Sequence, residues 1–299
     1  MSEERTKLAW IPLLFVPLWS TGFISAKFGL PYAEPFTLLS MRMVFTLFAF
    51  LLLIYLNRAH WPDPRGAFHS LVVGVLVHTC YLGGVFAAIS AGMTAGVASL
   101  LVGLQPILTA LLAWGWMDER VSHRQIIGLV LGLIGVAMVL ILGKSSHGTI
   151  VYTPQTLGYT AIALLGITLG TLYQKRFCAG VNLLTGTFYQ FLATAVVMTS
   201  LAFLFETRQV QWEPTFVFAL VWLVLGLSVG AVLLLMLMIR EGKAAKVASY
   251  FYLTPPVTAL MAWILFDEVL TPLAIAGIFV TAAGVYLVVK KTAGEGSGP

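Results

Sequence analysis

The stretch LQPILTALLAWGWMDE at 104–119 reappears as LTPPVTALMAWILFDE at 253–268, with nine of sixteen positions identical, in a chain of 299 residues. A chain that repeats itself half its own length apart builds one unit twice, and any fold must hold both copies. The match extends in both directions. AGMTAGVASL at 91–100 resembles EGKAAKVASY at 241–250, and Gly128 and Gly135 recur as Gly277 and Gly284. Upstream, Gly22, Lys27 and Arg42 face Gly170, Lys175 and Gln190 more loosely.

The solvent for this unit is lipid. Hydrophobic residues make up 59% of the chain and charged ones only 10%, against about 25% charged in soluble domains. A spanning helix needs roughly 20 apolar residues. The pattern offers such stretches near 8–27, 36–56, 68–90, 95–115, 124–142, 155–175, 184–205, 215–238, 246–266 and 272–290. They lack the period-two alternation of a barrel strand. The expected fold is therefore an all-α membrane protein with ten transmembrane helices. Residues 1–145 form the first five-helix repeat, 146–292 the second, and the Gly-rich 293–299 a flexible tail. The first apolar stretch is interrupted by Pro12, Pro17, Ser20 and Thr21 and lacks a small-residue cleavage pattern, so it is expected to be a retained helix rather than a signal peptide.

Five helices per repeat is an odd number, so the second copy enters the membrane upside down. The basic residues agree. With both termini in the cytoplasm, thirteen Lys and Arg fall on the inside and three (Lys27, Lys144 and Arg208) on the outside, with Arg42 within a span; positive charge collects in cytoplasmic loops. Lys243 and Lys246 stand where the first half has Met93 and Gly96, and Arg120 and Arg124 where the second has Val269 and Leu273. The apolar skeleton was kept and the charges were moved to whichever side is cytoplasmic. Inverted repeats are the architecture of many secondary transporters, which expose a midplane site alternately to the two sides.

The paired P-x-x-T-A-L-x-A-W segments, each followed by Asp-Glu and a Gly-rich helix, resemble two EamA domains of the drug/metabolite transporter superfamily, and LWSTGFISAKFGL at 18–30 resembles the start of that family's first helix. The resemblance covers nearly all of residues 8–290. It implies ten helices, cytoplasmic termini and passage of small organic solutes through a central cavity, as in exporters of amino acids and other metabolites. Small multidrug relatives carry a mid-membrane Glu in the first helix. This chain has Trp19-Ser20 at that depth, which argues against proton-driven export of cationic drugs.

Proline-interrupted helices at matching places in the two halves point to a binding site. Pro106 and Pro255 form such a pair, with Pro256 adjacent; each removes a backbone donor and frees a carbonyl, which makes them candidate hinges. Candidate solute-binding side chains are Trp19, Ser20, His78, Tyr81, Ser99, Gln105, Thr168, Tyr250, Tyr252 and Thr254. Intramembrane polar groups are costly and face the bundle interior. For each one taken singly, a helix–helix hydrogen bond is an equal reading. Arg42 either receives a solute carboxylate or pairs with Glu34 and snorkels to the outer face, and the second is favoured. The Gly-rich runs at 128–135 and 277–284 offer small faces for close packing.

The expected function is secondary transport of a small organic metabolite, an amino acid or related compound, by export or exchange across a bacterial inner membrane. The alternatives are proton-coupled drug or metabolite efflux through His78 and, further off, an intramembrane enzyme. No Walker A loop, H-E-x-x-H or G-x-S-x-G occurs in the sequence, so neither ATP hydrolysis by that loop nor a hydrolase is indicated. No cofactor or metal is expected. Two cysteines on separate elements suggest no disulfide framework. The expected partners are the solute and the lipid bilayer, with the protein a monomer or homodimer that binds no nucleic acid.

Overall fold

In the computed structural model, residues 11–105, 107–109, 112, 123–142, 153–232, 234, 254–267 and 271–289 are described. All regular structure among them is helical, apart from one isolated antiparallel bridge between Ala33 and Val210. In chain order the helices are α1 (Ile11–Gly29), α2 (Pro35–Asn57), α3 (Pro64–Ser90), α4 (Ala95–Val102), α5 (His123–Leu142), α6 (Pro154–Phe177), α7 (Leu183–Phe205), α8 (Pro214–Ala231), α9 (Thr254–Phe266) and α10 (Pro272–Val289). Five of them, α2, α3, α6, α7 and α8, are long and apolar enough to cross a membrane. The 23 residues of α2 span ~35 Å at 1.5 Å per residue, against ~30 Å of hydrocarbon.

Their starts are written in the sequence. Proline occupies the first helical turn of α2, α3, α6 and α8, where its missing N–H costs nothing. Asp63, Thr153, Asn182 and Thr271 cap the helices that follow them by accepting from backbone N–H groups. Along the helices large apolar side chains turn outward: Phe48, Leu133, Phe203, Phe218 and Ile264 are all exposed. In water this would be an unfavourable surface; in lipid it is the expected one.

The helices pair across the two halves of the sequence. α5 lies along α10, α2 along α7, and α4 against α9, while α3 packs on α6 and α7, and α8 on α1 and α2. In the α5–α10 contact glycine is required on both sides. A Cβ on Gly135 would run into Thr281 Oγ1 and lie 2.5 Å from Gly277 O; one on Gly284 would lie 2.5 Å from Gly132 N and 2.6 Å from Gly128 O. Under the repeat Gly128 corresponds to Gly277 and Gly135 to Gly284, so exchanging the halves turns one contact into the other.

α2 and α7 are fastened at one end by a reciprocal pair of carboxylates. Glu206 accepts from Phe36 N and Thr37 N at the start of α2, both at 2.7 Å, where the free amides of a helix N-terminus favour an anion. Glu34 accepts from Thr207 N at 2.7 Å and Arg208 N at 3.1 Å beyond the end of α7. Farther along, Ser40 and Thr199 share a hydrogen bond of 2.6 Å.

Two helices depart from α geometry at matching places. α3 is π-helical over Gly74–Cys80 and α8 over Trp222–Ala231. The offset that pairs Arg42 with Gln190 pairs Gly74 with Trp222, so the two stretches begin at equivalent residues. Such segments leave carbonyls off the usual ladder and recur at functional sites.

Gly284→Val forces α5 and α10 apart and should cost ~1–3 kcal/mol, read as a lower melting midpoint in detergent. Gly158→Val, at a position with open space around its Cβ, is the control. Equal midpoints for the two variants contradict the close contact.

Candidate functional site

Side chains from α1, α2, α3, α6, α7 and α8 surround a cavity of about 90 Å³. Its polar members are Trp19, Arg42, His78, Tyr81 and Ser228; its walls include Phe23, Leu82, Phe86, Phe191 and Leu227. Both halves of the chain contribute. A wider hollow of about 510 Å³ lies at the start of α3, lined by His60, Arg65, His69, Arg176 and Asn182 among others. It holds none of the candidate residues and sits at helix ends, so the small cavity is the better candidate for a site within the helix bundle.

Hydrogen bonds from α2 and α7 to the two π-helical stretches build the frame. Arg42, 6% exposed on α2, donates from Nε to Ser228 Oγ at 3.2 Å. Ser228 in turn donates to Leu223 O at 3.1 Å, the carbonyl five residues back that the π geometry brings within reach. On the other side Gln190, which stands in α7 where Arg42 stands in α2, pairs through Oε1 with His78 Nε2 at 3.3 Å. His78 also lies 4.7 Å, ring to ring, from Phe191. Thr194 reinforces this side by donating to Gly74 O at 3.1 Å. Gly74 allows that approach, since a Cβ there would lie 2.6 Å from Gln190 Cα. The equivalent position in α8 is Trp222, whose Nε1 donates to Thr21 Oγ1 at 2.9 Å. The two sides thus share a plan and differ in charge: a guanidinium on one, an amide on the other.

Of the residues singled out from sequence, Trp19, Arg42, His78 and Tyr81 meet at the cavity. The others spend their polar atoms elsewhere. Ser20 donates to Val16 O at 2.8 Å and to Thr254 O at 3.5 Å, tying α1 to α9. Ser99 donates to Gly96 O and Thr168 to Leu164 O, each within its own helix. Gln105 donates from Nε2 to Thr171 Oγ1 at 3.1 Å. Thr254 is buried, and its hydroxyl has no partner among the described residues. Pro255 is buried near Gly103, at the α4–α9 contact. Pro256 faces an apolar groove with Trp263 and Phe279, away from the cavity. Pro106, Tyr250 and Tyr252 lie outside the described residues, as does the chain before Thr254 on which the mid-helix placement of Pro255 depended.

One expectation is overturned. Arg42 does not pair with Glu34 or reach the surface: it is buried and held by Ser228, while Glu34 is taken by Thr207 and Arg208. Sequence reasoning missed Ser228, and it noted Gln190 only as the counterpart of Arg42. The one available signal was that repeat, which placed an amide opposite a cation.

The family model described as "EamA-like transporter family" matches the chain twice, over residues 7–141 and 156–290. The chain belongs to the EamA-like transporter family. With its apolar helices this makes it an integral membrane protein. It is 26% identical to the "Uncharacterized transporter YvbV" of Bacillus subtilis (strain 168), over 96% of this chain and 93% of that one. It is likewise 26% identical to a "Probable amino-acid metabolite efflux pump" of Salmonella typhimurium, over 94% of each. A protein of that same name from Escherichia coli (strain K12) is 25% identical, over 96% and 95%. A solved crystal structure superimposes with a TM-score of 0.65 at 19% identity, covering 94% of this chain and 96% of its own; that likeness shows the fold. The family and these relatives are transporters rather than enzymes.

The His78–Gln190 link should be energetically real. Gln190→Leu strands a half-buried imidazole nitrogen, at a cost of about 1 kcal/mol, whereas His78→Leu with Gln190→Leu removes both partners and should recover part of that loss. Thermal unfolding of the two single variants and the double variant measures it, and strictly additive losses would show that the pair is not coupled.

Proposed function

We propose that the chain is a secondary transporter that carries a small organic metabolite, an amino acid or related compound, through the cavity between its two halves by export or exchange. Residues 1–145 and 146–292 lie in opposite orientations across a bacterial inner membrane, with both termini cytoplasmic, and the cavity opens alternately to each side. The observation that carries this reading is the cavity itself. Its polar groups stand within apolar helices, it draws on both halves of the chain, and α2 and α7 meet the two π-helical stretches through counterpart residues.

Other observations support the orientation. The α5–α10 contact maps onto itself when the halves are exchanged, and thirteen basic residues against three favour one face. The names of the relatives favour efflux of amino-acid metabolites, and among the described residues none in the cavity supplies a carboxylate for sodium or proton coupling. Trp19, Arg42, His78, Tyr81 and Ser228 are the side chains assigned to the solute. Ser20, through the backbone carbonyl of Thr254, and Gln105 serve helix contacts around it, Ser99 and Thr168 close onto their own helices, and Pro255 is the hinge where α9 meets α4.

Counterflow in proteoliposomes tests the proposal. Vesicles preloaded with a panel of unlabelled amino acids and their metabolic derivatives should take up the labelled counterpart of at least one faster than empty vesicles do, with saturation. Unsaturable flux with single-channel conductance would make the protein a channel, and no protein-dependent flux for any solute would overturn the reading.

A further inference from the structure

We propose that the cavity selects a monocarboxylate whose remaining groups are uncharged, such as a 2-oxo or 2-hydroxy acid with an apolar side chain, over the zwitterionic amino acid of the same skeleton. This rests on the transporter reading above and names the solute class of that same cavity.

Arg42 has no counter-charge among the described residues. Arg42 lines the cavity and is 6% exposed. Among the described residues its one hydrogen bond runs from Nε to Ser228 Oγ. Its two terminal nitrogens have no protein acceptor there. A buried guanidinium without an anion is strongly unfavourable, and its planar fork matches a carboxylate in bidentate fashion. The bond to Ser228 fixes the fork through Nε and leaves the outer edge free for the solute.

An α-ammonium needs an anion or a cluster of free acceptors, and beside Arg42 in a medium of low dielectric it meets a like charge. Among the described residues, no Asp or Glu lines the cavity. The described carboxylates, Glu34, Asp63, Glu206, Glu213 and Asp267, all stand at helix ends or in loops, and Glu34 and Glu206 are already engaged by the α2–α7 clasp. The amide oxygen of Gln190 is taken by His78. What remains is the Tyr81 hydroxyl, which suits the oxo or hydroxyl oxygen next to a carboxylate, and the walls of Phe23, Leu82, Phe86, Phe191 and Leu227, which suit an apolar side chain. The volume of about 90 Å³ equals roughly three waters at ~30 Å³ each, enough for the acid head of such a solute. A monoanion balances the charge of Arg42; a zwitterion's carboxylate does so too but brings an ammonium that finds no counter-charge among the described residues.

Solutes matched in skeleton and differing in charge test this. The probes are 4-methyl-2-oxopentanoate, leucine and leucine amide, with phenylpyruvate, phenylalanine and phenylalanine amide as the aromatic set. In thermal shift of the purified full chain and in counterflow, at least one oxo acid should act at about tenfold lower concentration than its amino acid, and neither amide should act. Arg42→Gln should abolish the oxo acid's effect while unliganded melting is retained. Should that variant fail to fold, Ser228→Ala, which removes only the hydroxyl that orients Nε, should weaken the oxo acid's effect severalfold. Equal or better action by the amino acids, an oxo-acid effect that survives loss of Arg42, or no effect of either oxo acid overturns the proposal. If the carboxylates fail while another solute still shows counterflow, this inference falls and the transporter reading stands; if nothing moves, both fall.

Discussion

In hydrocarbon a polar group has no water to turn to, so a hydroxyl, amide, imidazole or guanidinium within these helices is costly unless a partner inside the protein takes it up. That constraint arranges the structure. Arg42 goes to Ser228, His78 to Gln190, Thr194 to Gly74 O and Trp222 to Thr21. Each of these bonds joins two helices, and together they hold α2, α3, α7 and α8 around the cavity. Apolar association does little for helices already dissolved in lipid. Close contact comes instead from glycines, as at Gly135 and Gly284, and from these few polar links.

The doubled sequence supplies the plan, and its deviations supply the chemistry. Two copies of one unit place Arg42 and Gln190, or Gly74 and Trp222, in corresponding surroundings. Where both copies keep the residue type, as with the glycines of α5 and α10, the contact is structural and reciprocal. Where they differ, the cavity becomes one-sided: a cation toward α8, an amide–imidazole pair toward α3. Gly74 brings α3 hard against α7, while Trp222 gives α8 no such approach to α2.

Much of this was legible in the sequence, for definite reasons. The repeat, the apolar stretches, the prolines that open helices and the glycine runs of α5 and α10 are local signals with one physical meaning each. The cavity was legible only in part. Trp19, His78 and Tyr81 stood out as polar or aromatic groups in apolar runs. Arg42 was misread because Glu34, two turns away, looked like its partner, whereas the carboxylate is claimed by a loop more than 170 residues on. Ser228 was passed over, because what matters about it is the π-helical stretch that turns its hydroxyl to Leu223 O and Arg42, and that stretch has no signature in composition. Ser99 and Thr168 show the converse: hydroxyls that satisfy themselves within their own helix need no solute.

Side-dependent labelling of the cavity wall tests the central claim most directly. With Cys80 and Cys178, the two free cysteines, replaced by alanine, a single cysteine at Leu227 can be treated with a membrane-impermeant maleimide in right-side-out and inside-out vesicles. A cavity that opens in turn to both faces predicts labelling in both preparations, slowed in each by a transported solute. Labelling confined to one preparation, or absent from both, would contradict it.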